Sequence, residues 1–275
     1  MQEYHLELRK LVSKTNLNFV HYNAKVGVSL DIDSFCPRQL AGKECAYCYV
    51  RAMKERSFMT LKETQYYDPQ DWGVLHSQKF RHFLMLFHTL GLRFGVKRQF
   101  IRLFSKSDYK REHKGFWTQV LNLCKKEHVK TVVITKQQKA VTDLSDYATT
   151  VQFSIDRVSN DKTVLKAQAT HARNSRPNVV VRAVACSEQE ILALGSTVDI
   201  LTLYHNDAQG ELRQALKQSF PETVESAWKP ENYQGRVRAY ICCASKGDGK
   251  HAKCVYCGNC LKALERKRRQ NGLSQ

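Results

Sequence analysis

Cys36, Cys45 and Cys48 fall within the sixteen residues "CPRQLAGKECAYCYVR", directly after an alternating apolar run. Thiols placed so closely can close a loop around zinc, remain reduced and inert, or hold an iron–sulfur cluster. A structural zinc takes four nitrogen or sulfur ligands. The nearest histidines, His21 and His76, stand outside the string, so zinc would have to recruit a distant ligand. A [4Fe–4S] cluster can instead be held by three thiolates, with one iron left open to substrate or cofactor. A second group, "CCASKGDGKHAKCVYCGNC", sets Cys254, Cys257 and Cys260 at C-x2-C-x2-C spacing below Cys242 and Cys243. That spacing is a metal signal. It fits an auxiliary [4Fe–4S] cluster and equally a tetrahedral zinc closed by an upstream cysteine. Cys243 is taken as the fourth ligand in preference to Cys242. Cys124 and Cys186 stand alone in apolar surroundings and read as inert buried thiols.

Clustered thiols need elements to position them, and the rest of the chain supplies a regular alternation. "KVGVSLDI", "QFIRLF", "KTVVIT", "TVQFSI", "NVVVRAVA" and "VDILTLY" are short runs rich in Val, Ile and Phe that read as strands. Between them, "DWGVLHSQKFRHFLMLFHTLGL", "GFWTQVLNLCKKEH", "KAVTDLSDYA", "KTVLKAQATHARN" and "SEQEILALGS" have helical spacing, as do residues 46 to 56. The last of the quoted helices opens with a capping box of Ser187 and Glu190. Strands alternating with helices indicate βα units on a parallel sheet. The expected fold is α/β: a partial (β/α)6 barrel over residues 1–235, with a cysteine-rich metal-binding extension over residues 236–275. A further apolar run, "GRVRAYICC", leads into that extension.

In such sheets ligands gather at the C-terminal ends of the strands. The first cysteine loop, "SKSDY", "TKQ", "SIDR", "ACSE" and "YHND" all follow strands at that end. Ser105, Ser107, Asp108, Lys136, Ser154, Asp156, Glu188, His205 and Asn206 are thereby expected beside the three cysteines.

The string Cys45-Ala46-Tyr47-Cys48-Tyr49-Val50-Arg51 after a first strand resembles the radical S-adenosylmethionine enzymes, most of all the spore-photoproduct-lyase-like branch and its phage-encoded relatives. Eight residues separate Cys36 from Cys45, a longer gap than that family's usual one. The resemblance implies a [4Fe–4S] cluster on the three thiolates and S-adenosylmethionine on the open iron. Reductive cleavage of that cofactor to a 5′-deoxyadenosyl radical, followed by hydrogen abstraction from substrate, is the implied chemistry. It implies further that Tyr47 lies with the cofactor. Ser105, Ser107 and Asp108 would meet its ammonium group, although the usual glycines are missing there. Ser154 and Asp156 would meet the ribose, and Glu188 or Asn206 the methionyl or adenine part. An electron donor such as flavodoxin or ferredoxin would be a partner.

The chain has 275 residues, 42% hydrophobic and 25% charged, which is ordinary globular composition with room for a large core. Forty-four basic residues against 26 acidic ones give a net charge of +18, which favours a polyanionic partner. A nucleic-acid base or nucleotide is therefore the expected substrate, in repair or modification. Basic and aromatic residues interleave in "KFRHFLMLFHTLGLRFGVKRQF", which suits stacked bases or, alternatively, a core-facing helix with solvated charges. A peptide or small metabolite is the other substrate class for the same chemistry. The competing reading is non-enzymatic: a nucleic-acid-binding protein stapled by zinc. No run reaches the eighteen apolar residues of a membrane span, and the first residues lack a secretory h-region, so a cytoplasmic protein is expected.

Overall fold

The computed structural model describes residues 2–23, 26–33, 65–105, 107–155, 170–172, 174, 176–185, 188–195, 197–203, 237, 239–241 and 259–272. Their centre is one sheet whose strands lie side by side in chain order. These are β1 (Val20–Asn23), β2 (Gly27–Leu30), β3 (Ile101–Leu103), β4 (Thr131–Thr135), β5 (Thr150–Ile155), β6 (Val179–Ala185), β7 (Ile200–Leu203) and β8 (Tyr240–Ile241). β1 pairs antiparallel with β2, and every later pairing is parallel. The six expected strands are all present. Six is nonetheless too few: β8, inside the apolar run before Cys242, adds a seventh parallel strand, and β1 adds an antiparallel edge. The unbroken order lacks the reversal that marks a doubly wound sheet.

Alternate strand residues feed two different environments. Val28, Leu30, Ile101, Leu103, Val133, Val151, Phe153, Val179, Val181 and Leu201 belong to the main core. On that face pack α1 (Gln2–Lys14), α2 (Val74–Arg93), α3 (Lys114–Lys126) and α4 (Gln138–Leu144). α5 (Glu188–Gly195) joins them beside β6 and β7. The amphipathic pattern explains each docking: α3 turns Phe116, Trp117, Val120, Leu121 and Cys124 inward. Cys124 is fully buried, and burial pushes its thiol well above the ordinary range, so the inert reading holds. Gly195 is required where the chain approaches β8, because a Cβ there would meet Val237 at 2.5 Å.

Among the described residues, the opposite face is covered by α6 (Asn259–Gln270). Leu261 packs with Val26, Phe100 and Val132, while Ala263 and Leu264 pack with Val180 and Ile200. The strongly basic α6 thus carries an apolar stripe that docks on the sheet. Its Lys267 is buried and donates to the carbonyls of Val179 at 2.5 Å and Arg176 at 3.1 Å. Arg266 lies over the Tyr240 ring at 4.4 Å and reaches the Asp199 carbonyl. Lys267→Ala leaves both carbonyls without their ammonium donor in a buried place. It is expected to lower stability by about 1–3 kcal/mol, read as a lower urea midpoint with an unchanged slope.

Candidate functional site

The site is built at the C-terminal edge of the strands, and it begins where β2 ends. Asp33 pairs with Gln65 in an isolated antiparallel bridge, and the amides of Tyr66 and Tyr67 both donate to the Ile32 carbonyl, at 2.8 and 3.1 Å. The segment holding Cys36, Cys45, Cys48 and Tyr47 therefore leaves and rejoins the sheet at one point. Those four residues lie outside the described residues. Asp33 also pairs with Lys110 at 3.2 Å, and Asp31 Oδ1 accepts from the Ser107 amide and hydroxyl, both at 3.2 Å. These two aspartates tie the end of β2 to the loop that follows β3.

That loop turns on Phe104, whose φ of 62° lies in the left-handed region, costly for a bulky residue. Burial holds it there: the ring meets Trp117 edge-on at 5.1 Å and Tyr109 at 6.2 Å. Ser105 is buried, and its hydroxyl has no hydrogen-bond partner among the described residues. Asp108 is buried too. Its Oδ1 accepts from the Tyr109 amide at 2.7 Å and the Thr135 hydroxyl at 2.5 Å, and its Oδ2 accepts from the Lys136 amide at 3.1 Å. Burial pushes its carboxyl above the usual range, against the lowering effect of those three bonds. Asp108 thus laces the loops after β3 and β4 together, and its oxygens serve the fold before any incoming ammonium group. Nearby, burial holds the His113 imidazole below its ordinary range.

Farther along the sheet, polar side chains occupy the face that α6 covers. Ser154 and Arg182 are register partners on β5 and β6, both nine-tenths buried. The Arg182 guanidinium donates to Gln152 Oε1 at 3.2 Å and to Thr202 Oγ1 at 2.8 Å, so one side chain bridges β5, β6 and β7. Arg102 shares this face from β3, two strands from β5, about 10 Å away at ordinary strand spacing. Asp156 and Asn206 lie outside the described residues, as does the side chain of Glu188, whose backbone opens α5.

Cys260 sits half-buried in the first turn of α6. The helix rests over the early residues of the strands: Leu261 packs with Val26, Phe100 and Val132, and Lys267 reaches Val179 at the start of β6. Cys242, Cys243, Cys254 and Cys257 lie outside the described residues, as does Cys186. Among the described residues, no three His, Cys, Asp or Glu side chains come together as a metal site.

A cleft of about 300 Å3 opens where the cysteine segment rejoins the sheet, between Asn16, Gln65, Tyr66, Asp71 and His76. His76 Nδ1 lies 2.7 Å from the Asp71 carbonyl and 2.9 Å from the Tyr67 hydroxyl. Burial, helped by Asp71 and Asp68, pushes that phenol up to about 12. Four of the five phenylalanines of the interleaved basic stretch, Phe80, Phe83, Phe87 and Phe100, are buried, which withdraws them from base stacking, while Phe94 is half-buried. Lys79, Arg81, Arg93 and Lys97 from the same stretch are exposed.

Reasoning from the loops after strands does not reach Asp31, Asp33, Gln152, Arg182 and Thr202, which lie within or at the ends of the strands themselves. The available signal was a polar residue inside an apolar strand, as in "TVQFSI" and "VVVRAVA".

No family model matches the chain, and no curated protein matches it. Among solved structures it is similar to a thiamine phosphate pyrophosphorylase from Pyrococcus furiosus. The likeness is 16% identical, covers 73% of this chain and 93% of that one, and has a TM-score of 0.30, which carries nothing about activity. These comparisons correct the resemblance to the radical S-adenosylmethionine family. No model of any such family matches the chain. The chain is assigned to no family. No helix among the described residues is long and apolar enough to cross a membrane.

Proposed function

We propose that the chain is an enzyme whose chemistry is carried by a [4Fe–4S] cluster on Cys36, Cys45 and Cys48, acting with S-adenosylmethionine on a nucleic-acid base or nucleotide. The observation that supports it most is the Asp33–Gln65 bridge. It fixes both ends of the three-cysteine segment at the strand edge where polar side chains also converge. The sheet is then read as a partial barrel, with α6 under its concave face and the strand ends as its mouth. Three thiolates with no fourth cysteine or histidine inside the string fit a cluster that keeps one iron open. Bound there, such a cluster supplies the electron for reductive cleavage of S-adenosylmethionine and so starts hydrogen abstraction.

The chain's own residues bind and orient. Ser105, with its unpartnered buried hydroxyl, and Ser154 offer hydroxyls to the amino acid and ribose parts of the cofactor. Ser107 is held by Asp31, and Asp108 sets the loop on which both serines' neighbours stand. Asp156, Glu188, Asn206 and Tyr47 complete the proposed contact set. The charge of +18 draws in the polyanion, and an electron donor of the flavodoxin or ferredoxin kind serves the cluster.

Anaerobic purification tests this directly. Brown protein containing iron and sulfide, with 5′-deoxyadenosine formed on reduction with S-adenosylmethionine, is the expected result. Colourless protein holding two zinc ions overturns it in favour of a zinc-stapled nucleic-acid-binding protein.

A further inference from the structure

We infer that Arg182 and Gln152 form an oxyanion subsite on the face that α6 covers, reaching one row deeper than Ser154, which takes the phosphate or carboxylate group of a small substrate. The assignment presupposes the proposed function's reading of the strand ends as the substrate mouth, and it involves no metal ligand.

The cluster is contiguous through its own contacts. Arg182 lies on β6 beside its register partner Ser154. Its guanidinium donates to Gln152 Oε1 at 3.2 Å and to Thr202 Oγ1 at 2.8 Å. A guanidinium can only donate, so the amide end it meets is the oxygen, and the Nε2 end points elsewhere. Gln152 is fully buried, and that Nε2 has no hydrogen-bond partner among the described residues. Buried N–H groups without an acceptor are rare, and this one calls for an acceptor from outside. Thr202, whose oxygen is turned to Arg182, still has a hydroxyl hydrogen to donate. The oxygens of Gln152 and Thr202 thus serve Arg182, and what the cluster offers outward is N–H, O–H and positive charge.

Charge points the same way. Gln152 and Thr202 are neutral, so they orient the guanidinium without cancelling its charge. Arg102 brings a second guanidinium to this face from β3, and its Nε is buried with no partner among the described residues. Asp31 and Asp33, the carboxylates past the end of β2, lie four strands from Arg182 and hold Ser107 and Lys110. A planar guanidinium beside an amide N–H matches the paired oxygens of a phosphate or carboxylate.

Burial grades along the cluster and shows the way in. Val180, the register partner of Gln152, packs with Ala263 and Leu264 of α6, which closes the deep side. Ser154 and Arg182 keep 8% and 9% of their exposure, and Thr202 is half-buried. The approach therefore runs from the strand ends past the guanidinium, the end at which parallel sheets take ligands.

The test is calorimetric titration of the full chain, in the metal state in which it purifies. The probes are inorganic phosphate, acetate, a nucleoside 5′-monophosphate and the matching nucleoside. Either phosphate, with the nucleotide about tenfold or more tighter than the nucleoside, or acetate is expected to bind, and whichever does identifies the oxyanion. Gln152→Glu sets a carboxylate of the chain's own against Arg182, which keeps an acceptor for the guanidinium while filling the subsite. This variant and Gln152→Leu are expected to bind the anion about 10- to 100-fold more weakly, as loss of a hydrogen bond to a charged group does. Lys79→Ala, at an exposed position on α2, should bind as the parent does. A folded Gln152→Glu chain that binds as tightly as the parent overturns the inference. Equal weakening in Lys79→Ala overturns it as well, because it marks diffuse attraction to a chain of net charge +18. Failure of the parent to bind any of the anions overturns it too, and leaves water as the partner of the amide. None of these readouts depends on 5′-deoxyadenosine formation, so the subsite and the cluster chemistry stand or fall separately.

Discussion

Cys45→Ser and Cys48→Ser are each expected to abolish iron and sulfide binding at the first cysteine group and to reduce 5′-deoxyadenosine formation to background. A serine hydroxyl at neutral pH is not the soft anion that iron requires, and two thiolates do not hold a cubane. Loss of even an outer partner weakens a metal site about 10- to 100-fold, so loss of a direct ligand sets a loss beyond the upper figure. The sheet should survive. Its core is built from α1 to α5 and the strands, and the segment's flanks are held by main-chain bonds at Ile32 and the Asp33–Gln65 bridge. Far-ultraviolet circular dichroism and melting of the two variants are therefore expected to match the metal-free parent. A structural zinc would behave otherwise: its ligand variants would lose zinc together with a large part of the stability. Cys36→Ser separates the ligand set further, since the long gap before Cys45 makes Cys36 the least constrained of the three. Cys124→Ala is the matched control. Its thiol is fully buried in the main core, so iron content should stay at the parent level while stability falls.

The strands could be read from the sequence because each is a short apolar run between helical patterns, and their order follows from that alternation. What escaped had weaker physical signals. α1 buries only Tyr4, His5 and Leu8, too few positions for a convincing apolar stripe. β1 is four residues long, and its last three are only half-buried, so nothing in "VHYN" demands a strand. α6 is strongly basic, yet Leu261, Ala263 and Leu264 suffice to dock it once the sheet offers Val180 and Ile200. The site was legible at the ends of strands and in the loops after them, and hidden within the strands. Ser105, Ser107, Asp108 and Ser154 were placed at the correct edge from element order. Gln152 and Arg182 lie in strands whose apolar neighbours face the other way, so only the pairing register reveals that they share a face. Asp108 shows a further limit: sequence located the carboxylate, but its three internal donors come from residues up to 28 positions away.

Asp108→Ala is expected to lower stability by about 3 kcal/mol or more, because the Tyr109 amide, the Lys136 amide and the Thr135 hydroxyl then lose a shared buried acceptor. Asp108→Asn should cost less, about 1–2 kcal/mol: the amide oxygen can still serve Tyr109 and Thr135, but its NH2 group faces the Lys136 amide. The pH dependence distinguishes this account from simple loss of packing. Burial raises the Asp108 carboxyl above the ordinary aspartate range in the folded chain. The folded state therefore holds the proton more tightly than the unfolded one. The corresponding stability is fully present below the unfolded value and is lost as pH rises through the folded value. Asparagine does not titrate, so the stability gap between wild type and Asp108→Asn should be widest in acid and narrow as pH is raised from about 3.5. Urea midpoints across that range read it directly. A gap that widens with pH would mean that the three hydrogen bonds outweigh burial and that the carboxylate is held charged. Thr135→Val sharpens the comparison, because removing the hydroxyl donor should push the carboxyl higher still and extend the narrowing to higher pH. Either outcome fixes the charge at the junction of the two loops that carry Ser105, Ser107 and Lys136.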